Sequence, residues 1–404
     1  KGKTGKPTIS LNAYAAISQL ERKVDVMNSD EWITFNKKWL DRQWVNATGQ
    51  NASVSQADRI AYAEMRDGRT YQTRDELYKI RSTYGIYDPW WGTDELEAID
   101  WQDEFFRTAP TYDMQLNVSG ATDRINYSIS GGVYRQEGIV YGSSYNRYNL
   151  RANFEAKVTD HFKVNLQLAP TFGLKKGIKV EGKDQGISRV LSLPGWVPAG
   201  AGRMAGAKPT KFYGNWGPGV NIVSPYVMAT VPTKRTADTR MNSSLSGTWN
   251  FLKDFNLMGM VAWNSLNRTD KQYSPTWANA KWDTASHEGK LSESRYTTLS
   301  TNSYLYQAIL SYHHTWNIHD VDAMLGASLE KYTEDSSYDR VSGFPNDKSY
   351  VFDKNTPETV QNNQIDYDSN ALLSYFCRVQ YSLMDRYLLT LSLRRDGSSK
   401  FGAD

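Results

Sequence analysis

Four stretches of this sequence carry residue types that could do chemistry. Gly177-Ile178-Lys179-Val180-Glu181-Gly182-Lys183-Asp184 has the spacing of a phosphate-binding Gly-rich loop, but it ends in Asp where the magnesium-holding Ser or Thr belongs. It also follows no buried strand and opens no helix, so it reads as a Gly-rich loop. His313, His314 and His319 lie close enough in sequence to suggest a metal site, yet no Cys accompanies them and they fall in a turn, so a solvated turn is the reading. Asp103 and Glu104 resemble an acid pair, but neighbours on a strand point to opposite faces, whereas glycoside hydrolysis needs two carboxylates flanking one bond. No nucleophile, base and orienting acid occur together, and the expectation is a protein that is not an enzyme, with no cofactor and no metal. What remains is aromatic. Trp90, Trp91, Trp196, Tyr213 and Trp216 sit beside Gly and Pro in long connections, where flat rings can stack on sugar faces or grip peptide backbones. The alternative is that they pack the connections against one another or against a partner.

The elements that must position these residues are strands. Tyr112, Met114, Leu116 and Val118 alternate with Asp113, Gln115, Asn117 and Ser119, the period of two that puts apolar groups on one face. The pattern resumes after Gly120–Asp123 with Ile125, Tyr127, Ile129 and Val133, then with Tyr148, Leu150, Ala152 and Phe154, and after Thr159-Asp160 with Phe162, Val164, Leu166 and Leu168. Each run holds roughly nine to eleven residues, the length a tilted strand needs to cross a bilayer and about twice that of an ordinary soluble strand. The opposite parity carries Asn117, Asn126, Arg151 and Lys163, which suits a polar lumen. The fold class expected is therefore all-β, a transmembrane antiparallel β-barrel.

Composition agrees. With 39% hydrophobic residues and a mean hydropathy of −0.63, the chain has no apolar run long enough for a spanning helix, whereas a barrel dilutes its lipid-facing residues with lumen residues. The 26 Tyr and 13 Trp suit aromatic belts at two membrane interfaces. A net charge of +3 with both signs dispersed implies no nucleic-acid partner, and the single Cys377 excludes an internal disulfide.

Taken in order, a first strand is expected over Thr8 to Ile17. Residues 18–110 then change period: Asn28-Ser29-Asp30-Glu31 reads as a helix cap, Thr73 with Glu76 as a second, and Gly85 as a stop. Further long connections are expected at about 172–237, 266–295 and 332–370. Between them come strand pairs whose tight turns are Lys253-Asp254, Trp316 to Asp320 and Met384-Asp385. About eleven strands result, with connections that alternate long and short, as in an outer-membrane barrel with tight periplasmic turns and long extracellular loops. An odd open sheet leaves bare edges that a bilayer does not tolerate. The expectation is thus a piece of a longer protein, closed by strands from elsewhere.

Several runs together carry a family resemblance. Asp100-Trp101-Gln102-Asp103-Glu104-Phe105-Phe106-Arg107, Asn117-Val118-Ser119-Gly120, Asn126-Tyr127-Ser128-Ile129-Ser130-Gly131-Gly132, Gln136-Glu137-Gly138-Ile139 and Arg394-Arg395-Asp396-Gly397-Ser398-Ser399-Lys400-Phe401-Gly402 resemble the hallmark runs of SusC/RagA-type TonB-dependent transporters of Bacteroidetes outer membranes. Cys377 stands where that pattern suggests a small residue such as Gly. The resemblance implies a barrel of 22 strands around a plug, with residues 1–6 as the plug's tail and 7–404 as about half of the barrel. It implies outer-membrane import of oligosaccharides or peptides, a SusD-like surface lipoprotein over the mouth, and TonB acting through a segment that this chain lacks. The rival reading is a soluble all-β glycan-binding protein, with a β-rich glycoside hydrolase weaker still.

Overall fold

The structure is a computed structural model that describes residues 6–177, 179, 181–182, 186–204, 224–275, 292–342, 344 and 359–401. Its dominant element is one eleven-stranded antiparallel sheet. The strands are β1 (Thr8–Ser18), β3 (Ala109–Ala121), β4 (Ile125–Glu137), β5 (Ser144–Lys157), β6 (Phe162–Lys176), β8 (Thr233–Leu252), β9 (Phe255–Ser274), β10 (Glu293–Trp316), β11 (His319–Ser342), β12 (Thr359–Leu383) and β13 (Tyr387–Ser398). They neighbour one another in chain order, a meander interrupted only where β2 (Leu96–Ala98) and β7 (Trp196–Pro198) pair separately.

The register fixes the faces. Leu11 pairs with Leu116, Leu116 with Gly131, and Gly131 with Leu150. Further along, Leu166, Leu245, Val261, Tyr306, Leu329 and Leu373 form one continuous row. Side chains alternate across a strand, so the apolar parity of all eleven strands lies on one side. Among the described residues nothing covers it: Leu245 is 51% exposed and Leu325 60%. Rows of bare leucine are unfavourable in water and match a hydrocarbon surround.

The tight connections gather at one rim. Asn250 N–H donates to His161 O at 2.8 Å, His313 N–H to Asp254 O at 2.9 Å and Met384 N–H to Ile318 O at 2.8 Å, so adjacent turns are tied together. Met384 and Asp385 both take positive φ, and Arg386 N–H closes the turn on Leu383 O at 3.0 Å, a tight connection of three residues between the paired Leu383 and Tyr387.

Two expectations need correction. β8 to β12 run to between 20 and 25 residues, so the loops expected at 172–237, 266–295 and 332–370 are shorter than their expected bounds. The wall continues past the apolar band as strand with polar groups on both faces, held by cross-strand pairs. Arg268 Nε meets Asp238 at 2.7 Å, Arg340 Nε meets Glu293 at 2.8 Å, and the hydroxyls of Thr298 and Ser337 lie 2.7 Å apart. Also, Asp103 and Glu104 lie on a short helix, α4 (Trp101–Phe105), not on a strand.

The residues between β1 and β3 fold as helices. In α1 (Ser29–Thr48), Asn28 and Glu31 form a reciprocal capping box, and in α3 (Arg74–Tyr84), Thr73 and Glu76 form another. Between them α2 (Gln56–Asp67) is capped by Ser55. Gly85 ends α3 at φ 64°, where a Cβ would fall 2.5 Å from Leu40 O, so close approach as well as backbone sign demands glycine. These helices join α5 (Gly186–Ser192), a 3-10 turn (Gly202–Met204) and α6 (Pro225–Thr230) in a cap at the long-connection end of the sheet. The cap holds the hydrophobic core: Trp44, Phe105, Val197 and Val227 are fully buried there.

Candidate functional site

Two surfaces are candidates, the cap and the polar face of the sheet below it. The cap is assembled from residues that the sequence spreads widely. Trp101, on α4, donates its indole N–H to Pro194 O at 2.8 Å, which ties the first long connection to the second. Lys23 reaches Asp100 at 2.8 Å and Asp103 at 2.6 Å, while Gln102 exchanges two hydrogen bonds with the Val24 backbone at 2.9 and 2.8 Å. Glu104 faces Arg203 at 3.8 Å. These pairs lash the strap after β1 onto α4.

Beneath α4 the loop is fastened to the sheet rim. Arg107 meets Glu137 at 2.7 Å and donates through Nε to Gly138 O at 3.0 Å and through Nη2 to Ser143 O at 3.3 Å. A Cβ at Gly138 would lie 2.0 Å from Ser143 Oγ and 3.0 Å from its Cβ, so glycine leaves room here for the Ser143 side chain. Gly120 lets the Tyr127 ring lie across it from the paired strand, and Gly132 does the same for Asn149, while a Cβ at Gly131 would meet Asn149 O only at 4.0 Å. On β13, Asp396 holds Arg394, which also reaches Ser374 Oγ at 3.1 Å; Arg395 and Gly397 pair with Tyr375 and Leu373, and Phe401 is exposed. Gly402 lies outside the described residues. The motif residues thus do constructional work, holding rim, turn and cap together.

The loop aromatics divide. Trp91 and Trp196 are buried in the cap core, both edge-on to Trp32 at 5.6 and 6.0 Å, so neither presents a ring face to a ligand. The half-buried Trp90 is covered by the Arg74 guanidinium, 3.6 Å from its ring centroid, and Arg74 is held by Asp88 at 2.6 Å. Tyr213 and Trp216 lie outside the described residues. The three placed rings pack the cap against itself.

Electrostatics inside the cap centre on Arg59, which is 1% exposed. It donates to Asp41 at 2.8 Å, to Gly85 O at 2.8 Å and to Val54 O at 3.1 Å. A buried guanidinium is tolerated when its donors are met in this way. Burial and a hydrogen bond to Asp41 push the Tyr87 hydroxyl up to about 12. Tyr84, hydrogen-bonded to Asp67, is likewise pushed up to about 12, and Tyr71 and Tyr84 together hold Asp67 below its ordinary value. Sequence reasoning missed Arg59 and Asp67; the Ser55-x-x-Asp58 cap just before Arg59 was the available signal.

The three histidines of the turn rim separate by face. His314 and His319 lie on the apolar side, in a row of rings running Phe255, Tyr312, His314, Trp316, His319 and Tyr381 with successive centroids 4.7 to 6.2 Å apart. His313 faces the polar side, 3.1 Å from Asp322 and 3.9 Å from Asp320. The sequence cluster is therefore not one site. Of the Gly-rich stretch at 177–184, only Gly177, Lys179, Glu181 and Gly182 are described, and no helix follows within it.

Comparison with known proteins accords with this geometry. No family model matches the chain. It is 24% identical over 409 residues to TonB-dependent receptor P3 of Formosa agariphila, covering 99% of this chain and 34% of that protein. It is 23% identical over 431 residues to TonB-dependent receptor SusC of Bacteroides thetaiotaomicron, covering 100% of this chain and 36% of that protein. The fold superposes on the RagAB peptide importer in its closed-closed state with a TM-score of 0.73 at 21% identity, over 100% of this chain and 43% of that one. The chain spans about a third of the length of the curated relatives it matches. In sequence the chain is similar to TonB-dependent receptors, SusC among them, and in fold to the RagAB importer, and its sheet has the architecture of a β-barrel wall.

Proposed function

We propose that this SusC/RagA-type chain forms wall and extracellular cap of an importer that carries oligosaccharides or peptides across the outer membrane of a Gram-negative bacterium. A SusD-like surface lipoprotein closes its mouth, and TonB supplies the work. The observation that carries the reading is the division of the sheet: one uncovered apolar face, one polar face, tight turns at one rim and a packed cap at the other. A soluble glycan-binding protein has no use for a continuous uncovered row from Leu166 to Leu373. The edge strands β1 and β13 then pair with further strands of the barrel, since unpaired backbone is not tolerated in hydrocarbon. Relatives named as receptors and an importer favour transport over catalysis. Peptide stands beside oligosaccharide as cargo because RagAB, on which the fold superposes, is a peptide importer.

The test is genetic and biochemical. The full-length protein should fractionate with outer membranes and change its gel mobility on boiling. Deleting its gene should abolish TonB-dependent uptake of one labelled oligosaccharide or peptide class, and restoring the gene should recover it. Uptake unchanged by the deletion across both classes would contradict the reading.

A further inference from the structure

The polar face is not flat. Between β3, β4, β5, β6 and β8 it sinks into a recess of about 530 Å³. The floor is made by small residues: Ser130 and Gly132 on β4, Gly173 on β6. A Cβ at Gly132 would lie 2.9 Å from Asn149 Oδ1, and one at Gly173 3.4 Å from Tyr145 Oη. The register then stands three arginines around that floor: Arg151 opposite Ser130, Arg147 opposite Gly173, and Arg240 opposite Thr171.

Charge in the recess is unbalanced. Its acids are Asp113 and Asp238, and Asp238 is already gripped by Arg268 through two contacts at 2.7 and 3.3 Å, leaving Arg240 at 3.7 Å from it. Arg151 is exposed and, among the described residues, no carboxylate pairs with it. Arg147 lies over the Tyr134 ring, 5.3 Å from its centroid, and its Nε is shielded from solvent with no hydrogen-bond partner among the described residues. A shielded guanidinium donor without an acceptor is costly, and planar guanidinium forks match a carboxylate in two-point geometry. The recess also lies in the half of each strand nearer the cap, so on the import reading it is met from outside.

We propose that this recess is a binding site for a carboxylate of the cargo, taken by Arg151 and Arg240 with Arg147 as the shielded third donor. The inference rests on the import reading and narrows it to anionic cargo, an acidic oligosaccharide or an acidic peptide, the carboxylate being common to both.

Calorimetry on the purified full-length protein tests this with two matched pairs, an oligogalacturonide against its methyl ester and a Glu-rich peptide against its Gln counterpart. In at least one pair the acidic member should bind about tenfold or more tighter, the scale of one charge-assisted pair, and the advantage should shrink as salt rises. R151Q/R240Q should remove that advantage while leaving the neutral member's affinity and the heat-modifiable gel mobility unchanged; K163Q, elsewhere on the polar face, should leave it intact. The pair that shows the advantage identifies the source of the carboxylate. Binding without an acidic preference, or a preference surviving R151Q/R240Q, overturns the inference and leaves the importer reading standing. No binding of either pair, together with no uptake, brings down both. If R151Q/R240Q instead only makes the barrel leaky to large antibiotics, the arginines hold a protein carboxylate inside the barrel and the inference is wrong.

Discussion

The cap and the sheet use the same residue types and turn them in opposite directions. In the cap, Trp44 and Phe105 are 0% exposed, locked among neighbours from four separate stretches of chain. In the sheet, leucines of like size point outward along eleven strands with nothing upon them among the described residues. The difference teaches that burial follows solvent: the cap folds against water and must make its own interior, while the sheet relies on lipid and needs only alternation and register. Charged residues divide similarly. Arg59 is enclosed and satisfied within the cap, whereas Arg151 on the sheet is exposed toward the polar side.

The contrast breaks most sharply at Phe105. Phe105→Ala should destabilise the cap by about 3–5 kcal/mol, the usual cost of emptying a packed core site, read as lost amide-exchange protection across residues 29–105 with the sheet's protection unchanged. Phe154→Ala on the outer face leaves no enclosed void and should cost far less. Next in size is a charge on the lipid face: Leu245→Arg should cost about 2–4 kcal/mol near the midplane while Ser244→Arg, one residue away and facing the polar side, costs about 0–1 kcal/mol. Folding of the full-length protein into lipid vesicles under a urea series measures both, and equal costs would erase the distinction between faces.

Smaller effects sharpen the cap. Thr73→Ala removes one half of a capping box and should cost about 1 kcal/mol, confined to exchange protection in α3. The raised hydroxyls act only at high pH. Tyr84 and Tyr87 titrate near 12 in the cap against an ordinary value of 10.0, so folding favours their protonated forms. The stability they contribute is whole below pH 10 and is lost as pH rises through about 12. Tyrosinate absorbance at pH 11 should therefore be nearly unchanged by Tyr87→Phe, whereas the substitution of a fully exposed tyrosine lowers it.

Much of this fold is written in alternation. Leu116, Ile129, Leu150, Leu166, Leu245, Leu257, Leu325 and Leu391 fall on one parity and the register places them on one face. The outer half of β8 to β12 is not legible that way, because Thr236, Asp238, Arg268, Thr298 and Glu293 carry no apolar rhythm and are strand only through pairing across to neighbours. The helix caps at Asn28 and Thr73 are legible because their chemistry is local. The fate of Trp91 and Trp196 is not, since a tryptophan beside Gly and Pro looks alike whether it awaits a sugar or, as here, packs against Trp32 from elsewhere in the chain. Asp103 and Glu104 were misplaced for a related reason: five residues are too few for a helical period to show. The recess escaped notice because Arg147, Arg151 and Arg240 come together only when β5, β6 and β8 are laid side by side.

The central claim is that one parity of the sheet faces lipid. It is tested most directly by placing a single fluorophore in turn at each position from 241 to 249 of β8 in the full-length protein, reconstituted in bilayers containing brominated lipid. The account predicts strong quenching at Met241, Ser243, Leu245, Gly247 and Trp249 and weak quenching at Asn242, Ser244, Ser246 and Thr248. Quenching that is equal at both parities, or absent from both, would contradict it.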